Sequence, residues 1–196
     1  DQAVVFSDFG GTVTDVIANP DQTGINTSDE VGRMQKFAGE VFGGTTISLN
    51  DPLTLAAKLL FGQEISSQFL SAKSIAASNV FTLKVWSQRQ VALTFKLEGD
   101  VDANDVERVV THDGTGWEVL SFDFTDVTGT GYTAITLIFD NGVVGDAADD
   151  AANWTFYFDD MVIPVAADDT TGGGDNGGDT AASIVNGLEN ALDSYT

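Results

Sequence analysis

The chain has 196 residues, 42% of them hydrophobic, with 13 Phe against 3 Trp and 3 Tyr; that is one ordinary domain, or one with a tail, and enough apolar side chain for a core. Its 30 acidic residues face 8 basic ones and set a formal charge of −22, which excludes nucleic acid and anionic membrane surfaces as partners, since both need a Lys/Arg footprint. There is no Cys, so disulfides, zinc–thiolate sites and cysteine nucleophiles are excluded as well, and no apolar run reaches the length of a membrane-inserted helix.

In chain order, the strand candidates are "TTISL" (45–49), "VFTLKVW" (80–86), "VALTFKLEG" (91–99), "WEVLSFDF" (117–124), "YTAITLIFDNG" (132–142) and "WTFYFDDMVI" (154–163). All are rich in β-branched and aromatic residues, and turn signals such as "HDGTG", "TGTG" and "DNG" separate them. Val91, Leu93, Phe95 and Leu97 alternate with Ala92, Thr94, Lys96 and Glu98, the pattern of a strand with one face in a core. Many short strands of this kind predict an all-β sandwich or jelly roll over residues 1–165. One segment departs from the pattern. Residues 51–79 carry Leu, Ala, Lys and Gln at roughly helical spacing, with Pro52 and Asn79 at the boundaries; this predicts a short helical insertion that caps one end of the sandwich. From 166 to 183 the Gly, Asp and Thr composition is that of a flexible linker. The chain then closes on "AASIVNGLENALDSYT".

The acids are unevenly chosen, with 23 Asp and 7 Glu. Asp favours turns and calcium loops, whereas Glu favours helices. This composition suits a solvated, loop-rich surface, and it also suits an extracellular, calcium-stabilised protein. Catalysis finds little support. His112 is the only His and stands in "THDGTG" with no evident Ser or Asp partner. "FGG", "TGTG" and "GGGDNGG" lack the Lys and following helix of a phosphate loop.

Four stretches together carry a family likeness: "FSDFGGTVTDVIANPDQTGINTSDEVGRM", "AGEVFGGTTISL", "FTLKVWS" and "WEVLSFDFT…YTAITLIFDNGVVGD…TFYFDD". They resemble the carbohydrate-binding-module-like jelly-roll β-sandwiches, of the family 4 type, in secreted polysaccharide-degrading and glycan-capturing proteins of marine bacteria. The resemblance implies a non-catalytic domain outside the cell or on its surface. It also implies glycan binding through aromatic rings that stack on sugars and planar polar groups that bond the hydroxyls. On that basis Trp86 of "KVWS" is the stacking candidate, with packing as an equal alternative. Gln35 and Lys96 are the polar candidates, and Phe42 stands where the family usually has Trp. Trp117 and Trp154 are expected to pack at a sandwich edge.

The same resemblance implies a structural calcium ion. The family joins a Glu of an "F-E" pair on its first strand to the Asp residues of a "D-D-I/V" on its last. Asp159 and Asp160 match the second half, but no "F-E" opens this chain. Read from the C-terminus into the N-terminus, "GLENALDSYT–DQAVVFSDFGG" restores the family's order, with Leu188 and Glu189 in place of "F-E". The expectation is therefore that 184–196 is the missing first strand. It would supply Glu189 to the calcium site and pair through Ile184, Val185, Leu188 and Leu192. The strand acts within its own domain, in a covalent tandem repeat, or on a neighbouring copy in a head-to-tail filament or adhesin. The alternative is a chain boundary a few residues into a next module. The leading functional expectation is thus a self-associating, calcium-stabilised subunit. The runner-up is a glycan-binding module for a neutral polysaccharide such as a laminarin-type β-glucan.

Overall fold

The computed structural model describes residues 4–49, 58–59, 79–99, 105–127 and 131–162. All of them belong to one compact unit, Asp1–Ala166. The linker and the expected terminal strand, including Ile184, Val185, Leu188, Glu189 and Leu192, lie outside the described residues.

The described secondary structure is entirely β: β1 (Phe6–Phe9), β2 (Thr12–Ala18), β3 (Glu30–Lys36), β4 (Gly44–Ser48), β5 (Lys58–Leu59), β6 (Val80–Ser87), β7 (Val91–Gly99), β8 (Val106–His112), β9 (Gly116–Asp123), β10 (Tyr132–Phe139) and β11 (Thr155–Val162). The first sheet runs β1-β4-β10-β7-β8 and the second β2-β3-β11-β6-β9, with β5 beside β11. Every pairing is antiparallel. The chain repeatedly passes from one sheet to the other, as from β6 to β7 and from β10 to β11, which is how a sandwich of the jelly-roll type is wound.

Alternation explains the core. Phe81, Leu83 and Val85 of β6, Leu93, Phe95 and Leu97 of β7, and Ile135, Leu137 and Phe139 of β10 are buried between the sheets. Aromatic pairs bridge the layers: Phe95 stacks on Phe122 at 4.7 Å and Phe139 on Phe156 at 4.4 Å. Each buried Phe contributes about 1.5–3 kcal/mol relative to exposure.

The expected helical insertion needs a correction where it is described. Lys58 and Leu59 are extended and pair with Val162 and Met161. The pairing of β3 with β11 ends at Phe158. Backbone groups of β11 beyond that point need partners, and β5 supplies them. The rest of 51–78 lies outside the described residues.

Two close approaches hold the loop end of the sandwich. A Cβ on Gly44 would stand 2.4 Å from the Leu137 carbonyl oxygen and 2.8 Å from Ile138 Cγ1. Gly44→Ala is therefore expected to cost about 1–3 kcal/mol by overpacking, read as a fall in the urea midpoint at constant m-value. At the same end, the fully buried Lys36 donates from Nζ to the carbonyls of Phe139 (2.8 Å), Asp140 (2.9 Å) and Val41 (3.1 Å). Burial lowers its pKa from the ordinary lysine value, Asp140 raises it and Arg89 lowers it. One ammonium thus ties β3 to the 37–43 and 140–147 loops.

Candidate functional site

On the outer face of the second sheet, cross-strand register assembles one row of large side chains. Asp15 of β2 faces Arg33 of β3, Arg33 faces Tyr157 of β11, Tyr157 faces Trp86 of β6, and Trp86 faces Trp117 of β9. Tyr157 lies between the core residues Phe156 and Phe158, Arg33 between Gly32 and Met34, and Trp86 between Val85 and Ser87, all buried, so these three point outward, and cross-strand register sets Asp15 and Trp117 beside them. All are half-buried. The Trp86 and Tyr157 rings lie 5.1 Å apart at 52°.

The row is held rigid. Arg33 forks onto Asp15 through Nε–Oδ1 (2.9 Å) and Nη2–Oδ2 (2.6 Å), a bidentate geometry that fixes the guanidinium plane. Hydrogen bonding from Arg33 to Asp15 is also the main cause that raises its pKa. The loop between β2 and β3 reaches across to the two indoles. Trp86 Nε1 donates to Asp21 Oδ2 at 3.0 Å and Trp117 Nε1 to the Asp21 carbonyl at 2.7 Å. The Thr23 hydroxyl, and after it the Trp86 indole, lower the Asp21 pKa from the usual carboxylate value, against an opposing push from burial. Since both indole N–H groups are satisfied at their edges, the ring faces remain the surfaces available to a ligand. Gln35 stands one row away on the same face and donates to Thr155 Oγ1 at 3.2 Å.

Of the four predicted glycan contacts, the structure brings Trp86 and Gln35 together and separates the other two. Lys96 lies on the outer face of the first sheet, bound to Asp105 at 2.7 Å and Glu98 at 3.4 Å. That sheet's outer network continues from Glu98 to Thr136 and Thr46. Phe42 is 48% exposed in the loop between β3 and β4. Trp154 packs at the edge as expected, under the Arg89 guanidinium at 4.6 Å. Trp117, expected to pack in the same way, joins the aromatic row. Tyr157, Arg33 and Asp21 were not singled out from sequence. The period-two signal in "WTFYFDD", with Thr155, Tyr157 and Asp159 alternating against Phe156 and Phe158, points to the first of them.

The predicted calcium ligands Asp159 and Asp160 lie on this same face. β11 has a bulge between Asp159 and Val162, and Asp160 adopts φ 48°. A bulge sets two residues against one on the partner strand, so both carboxylates can share a face opposite Lys84. The Lys84 ammonium holds Asp160 Oδ2 at 2.6 Å. Asp159 is fully buried, and neither of its oxygens has a hydrogen-bond partner among the described residues. A buried carboxylate without a partner is strongly unfavourable, and a hard cation is the species that would satisfy it. Asp159 therefore fits calcium. Asp160 fits through one oxygen at most, because Lys84 takes the other. Glu189 lies outside the described residues.

His112 is fully buried, at the end of β8. Its Nδ1 accepts the Gly114 N–H at 2.9 Å, so the proton sits on Nε2 and is donated to the Gly116 carbonyl at 2.8 Å. Asp113 and Glu118 lie close enough to complete a metal triad. However, the Thr115 and Asp113 amides occupy their carboxylates, and both ring nitrogens are engaged. The group pins the β8–β9 hairpin.

No family model and no curated protein matches the sequence. Among solved structures, the chain is similar to an exo-β-agarase with 9% identity and a TM-score of 0.53, covering 97% of this chain and 29% of that one. The xylan-binding CBM22-2 domain of Paenibacillus barcinonensis Xyn10C is matched at 11% identity and a TM-score of 0.46, covering 82% of this chain and 91% of that one. A family 11 carbohydrate-binding module of a Clostridium thermocellum cellulosomal cellulase is matched at 12% identity and a TM-score of 0.44, covering 85% and 89%. The chain spans under a third of the agarase, and at that identity the likeness shows a shared fold and no more.

Proposed function

We propose that the chain is a non-catalytic, extracellular carbohydrate-binding module that holds a neutral polysaccharide against the outer face of its second sheet. The observation that carries this reading is the row Trp117–Trp86–Tyr157, which offers three ring faces beside the fixed hydrogen-bonding groups of Arg33 and Gln35. Sugar rings present an apolar face that stacks on aromatic surface, while their hydroxyls need planar donors and acceptors at the rim. The charge of −22 disfavours anionic polymers. A laminarin-type β-glucan is the first ligand to try. Retardation of the protein in affinity gels containing neutral glucans tests the reading, and its absence across a panel of neutral polysaccharides contradicts it.

Asp159, buried without a hydrogen-bond partner among the described residues, favours a second reading, compatible with the first: a calcium-stabilised unit that associates with copies of itself through 184–196 and Glu189. Deleting 180–196 should then lower calcium affinity and reduce particle size by light scattering. Unchanged values for both would refute strand donation.

A further inference from the structure

We propose that Asn141 is a modification site, converted by spontaneous deamidation to aspartate and isoaspartate, and that the hydrogen bonds around the buried Lys36 ammonium set the rate. The sequence over 140–144 is "DNGVV". Closure of a five-membered ring joins the Gly142 backbone nitrogen to Asn141 Cγ. Glycine hinders this step least, because no Cβ stands beside the attacking nitrogen. The N–Cγ bond forms, the Cγ–Nδ2 bond breaks, and the backbone proton departs with Nδ2 as ammonia. Water then opens the succinimide at one of its two carbonyls. Cleavage at Cγ gives aspartate, and cleavage at the main-chain carbonyl gives isoaspartate, whose backbone is one methylene longer. Solvent water is the sole co-reactant: one water enters and one ammonia leaves.

The fold exposes this pair and also restrains it. Asn141 and Gly142 are exposed, and a Cβ on Gly142 would meet nothing within 4 Å, so solvent reaches the reacting atoms. Gly142 has φ 97° in a turn that the Val143 N–H closes on the Asp140 carbonyl at 3.0 Å, the place where such turns take glycine. The nucleophile itself is held. The Gly142 N–H donates to the Val41 carbonyl at 3.0 Å, and a bonded N–H resists both deprotonation and rotation toward Cγ. Lys36 Nζ grips that same Val41 carbonyl at 3.1 Å and the Asp140 carbonyl, one residue before Asn141, at 2.9 Å. Ring closure therefore waits on a local opening in which the 140–147 loop parts from Val41. Either product adds a negative charge beside Asp140. Isoaspartate also lengthens the turn and moves the Gly142 N–H out of register with Val41, so the modified loop does not close again as before.

The test incubates the full chain at mildly alkaline pH, folded and in concentrated guanidinium chloride. Conversion at Asn141 is read by peptide mass spectrometry, with the two products separated by chromatography. The expected result is conversion in the folded chain, about tenfold to a hundredfold slower than in denaturant. The slowing should match the hydrogen-exchange protection of the Gly142 amide, a comparison made on the unaltered chain alone. Lys36→Met, where circular dichroism shows it folded, should convert several-fold faster. The isolated isoaspartate form should melt several degrees below the unaltered chain, and Asn141→Asp, which carries the charge without the extra methylene, should melt closer to it. An unconverted Asn141 in the folded chain, after many times the period that converts the denatured one, overturns the site. Equal rates folded and denatured, or a slowing unrelated to Gly142 protection, overturn the restraint by the Val41 carbonyl. A folded Lys36→Met that converts no faster overturns the part given to Lys36, and an isoaspartate form with unchanged Tm overturns the effect on the loop.

Discussion

Lys36→Met is expected to destabilise the domain by about 3–5 kcal/mol, among the largest effects of any single substitution here. The methionine side chain fits the volume but carries no donor. It would leave the buried Phe139 carbonyl and the half-buried Val41 and Asp140 carbonyls without the ammonium that now serves them. An orphaned buried acceptor costs about 1–3 kcal/mol. Three share one donor group, so their losses do not add in full. The check is a urea titration: the midpoint should fall while the m-value holds, and Tm should drop by roughly 2–4 °C per kcal/mol. A loss under about 1 kcal/mol would show that water replaces the ammonium at low cost.

Trp86→Ala is the corresponding prediction for binding. Trp86 stands at the centre of the row, with Tyr157 on one side and Trp117 on the other. Central aromatic anchors dominate binding energy, so its removal should weaken a neutral glucan at least about tenfold, or about 1.4 kcal/mol. Tyr157→Ala should follow it. Lys96→Ala should leave affinity unchanged, because Lys96 lies on the opposite sheet. Trp86 also packs on Tyr157, so each variant's Tm must be recorded beside its affinity, to separate lost stacking from lost fold. Equal affinity in Trp86→Ala and the unaltered chain would remove the site from this face.

Much of the fold is legible in the sequence, for a physical reason. Strands buried on one face carry a period-two apolar pattern, and β4, β6, β7, β9, β10 and β11 all appear within a few residues of their expected positions. "YTAITLIFDNG" overran, because the strand ends at Phe139 and Asp140 turns with φ 47°. β1, β2, β3 and β8 were less visible. β8 is an edge strand whose outward positions are Glu107, Val109 and Thr111, and β3 carries Gly32 where the Phe158 ring needs the space of a side chain.

The candidate site was half legible. Trp86 and Gln35 entered through the family resemblance, not through a local pattern of their own. The sheet that each face belongs to depends on the crossovers, which local pattern does not encode. Lys96 was therefore grouped with Trp86 although the sandwich sets them on opposite sides. Tyr157 and Trp117 become partners of Trp86 only through cross-strand register, a long-range property. The Asp159–Asp160 pair was visible as a motif, but the bulge that sets Asp160 against Lys84 was not.

The Trp117–Trp86–Tyr157 row is the proposed glycan-binding surface. The most direct measurement is a proton–nitrogen correlation spectrum of the labelled protein during titration with a neutral β-glucan oligosaccharide. Its three tryptophan side chains each give a separate indole signal. The signals of Trp86 and Trp117 should move together with the backbone amides of Arg33, Gln35 and Tyr157, while that of Trp154 stays fixed. Shifts confined to the first sheet around Thr46, Lys96 and Thr136, with both row indoles unmoved, would contradict the account.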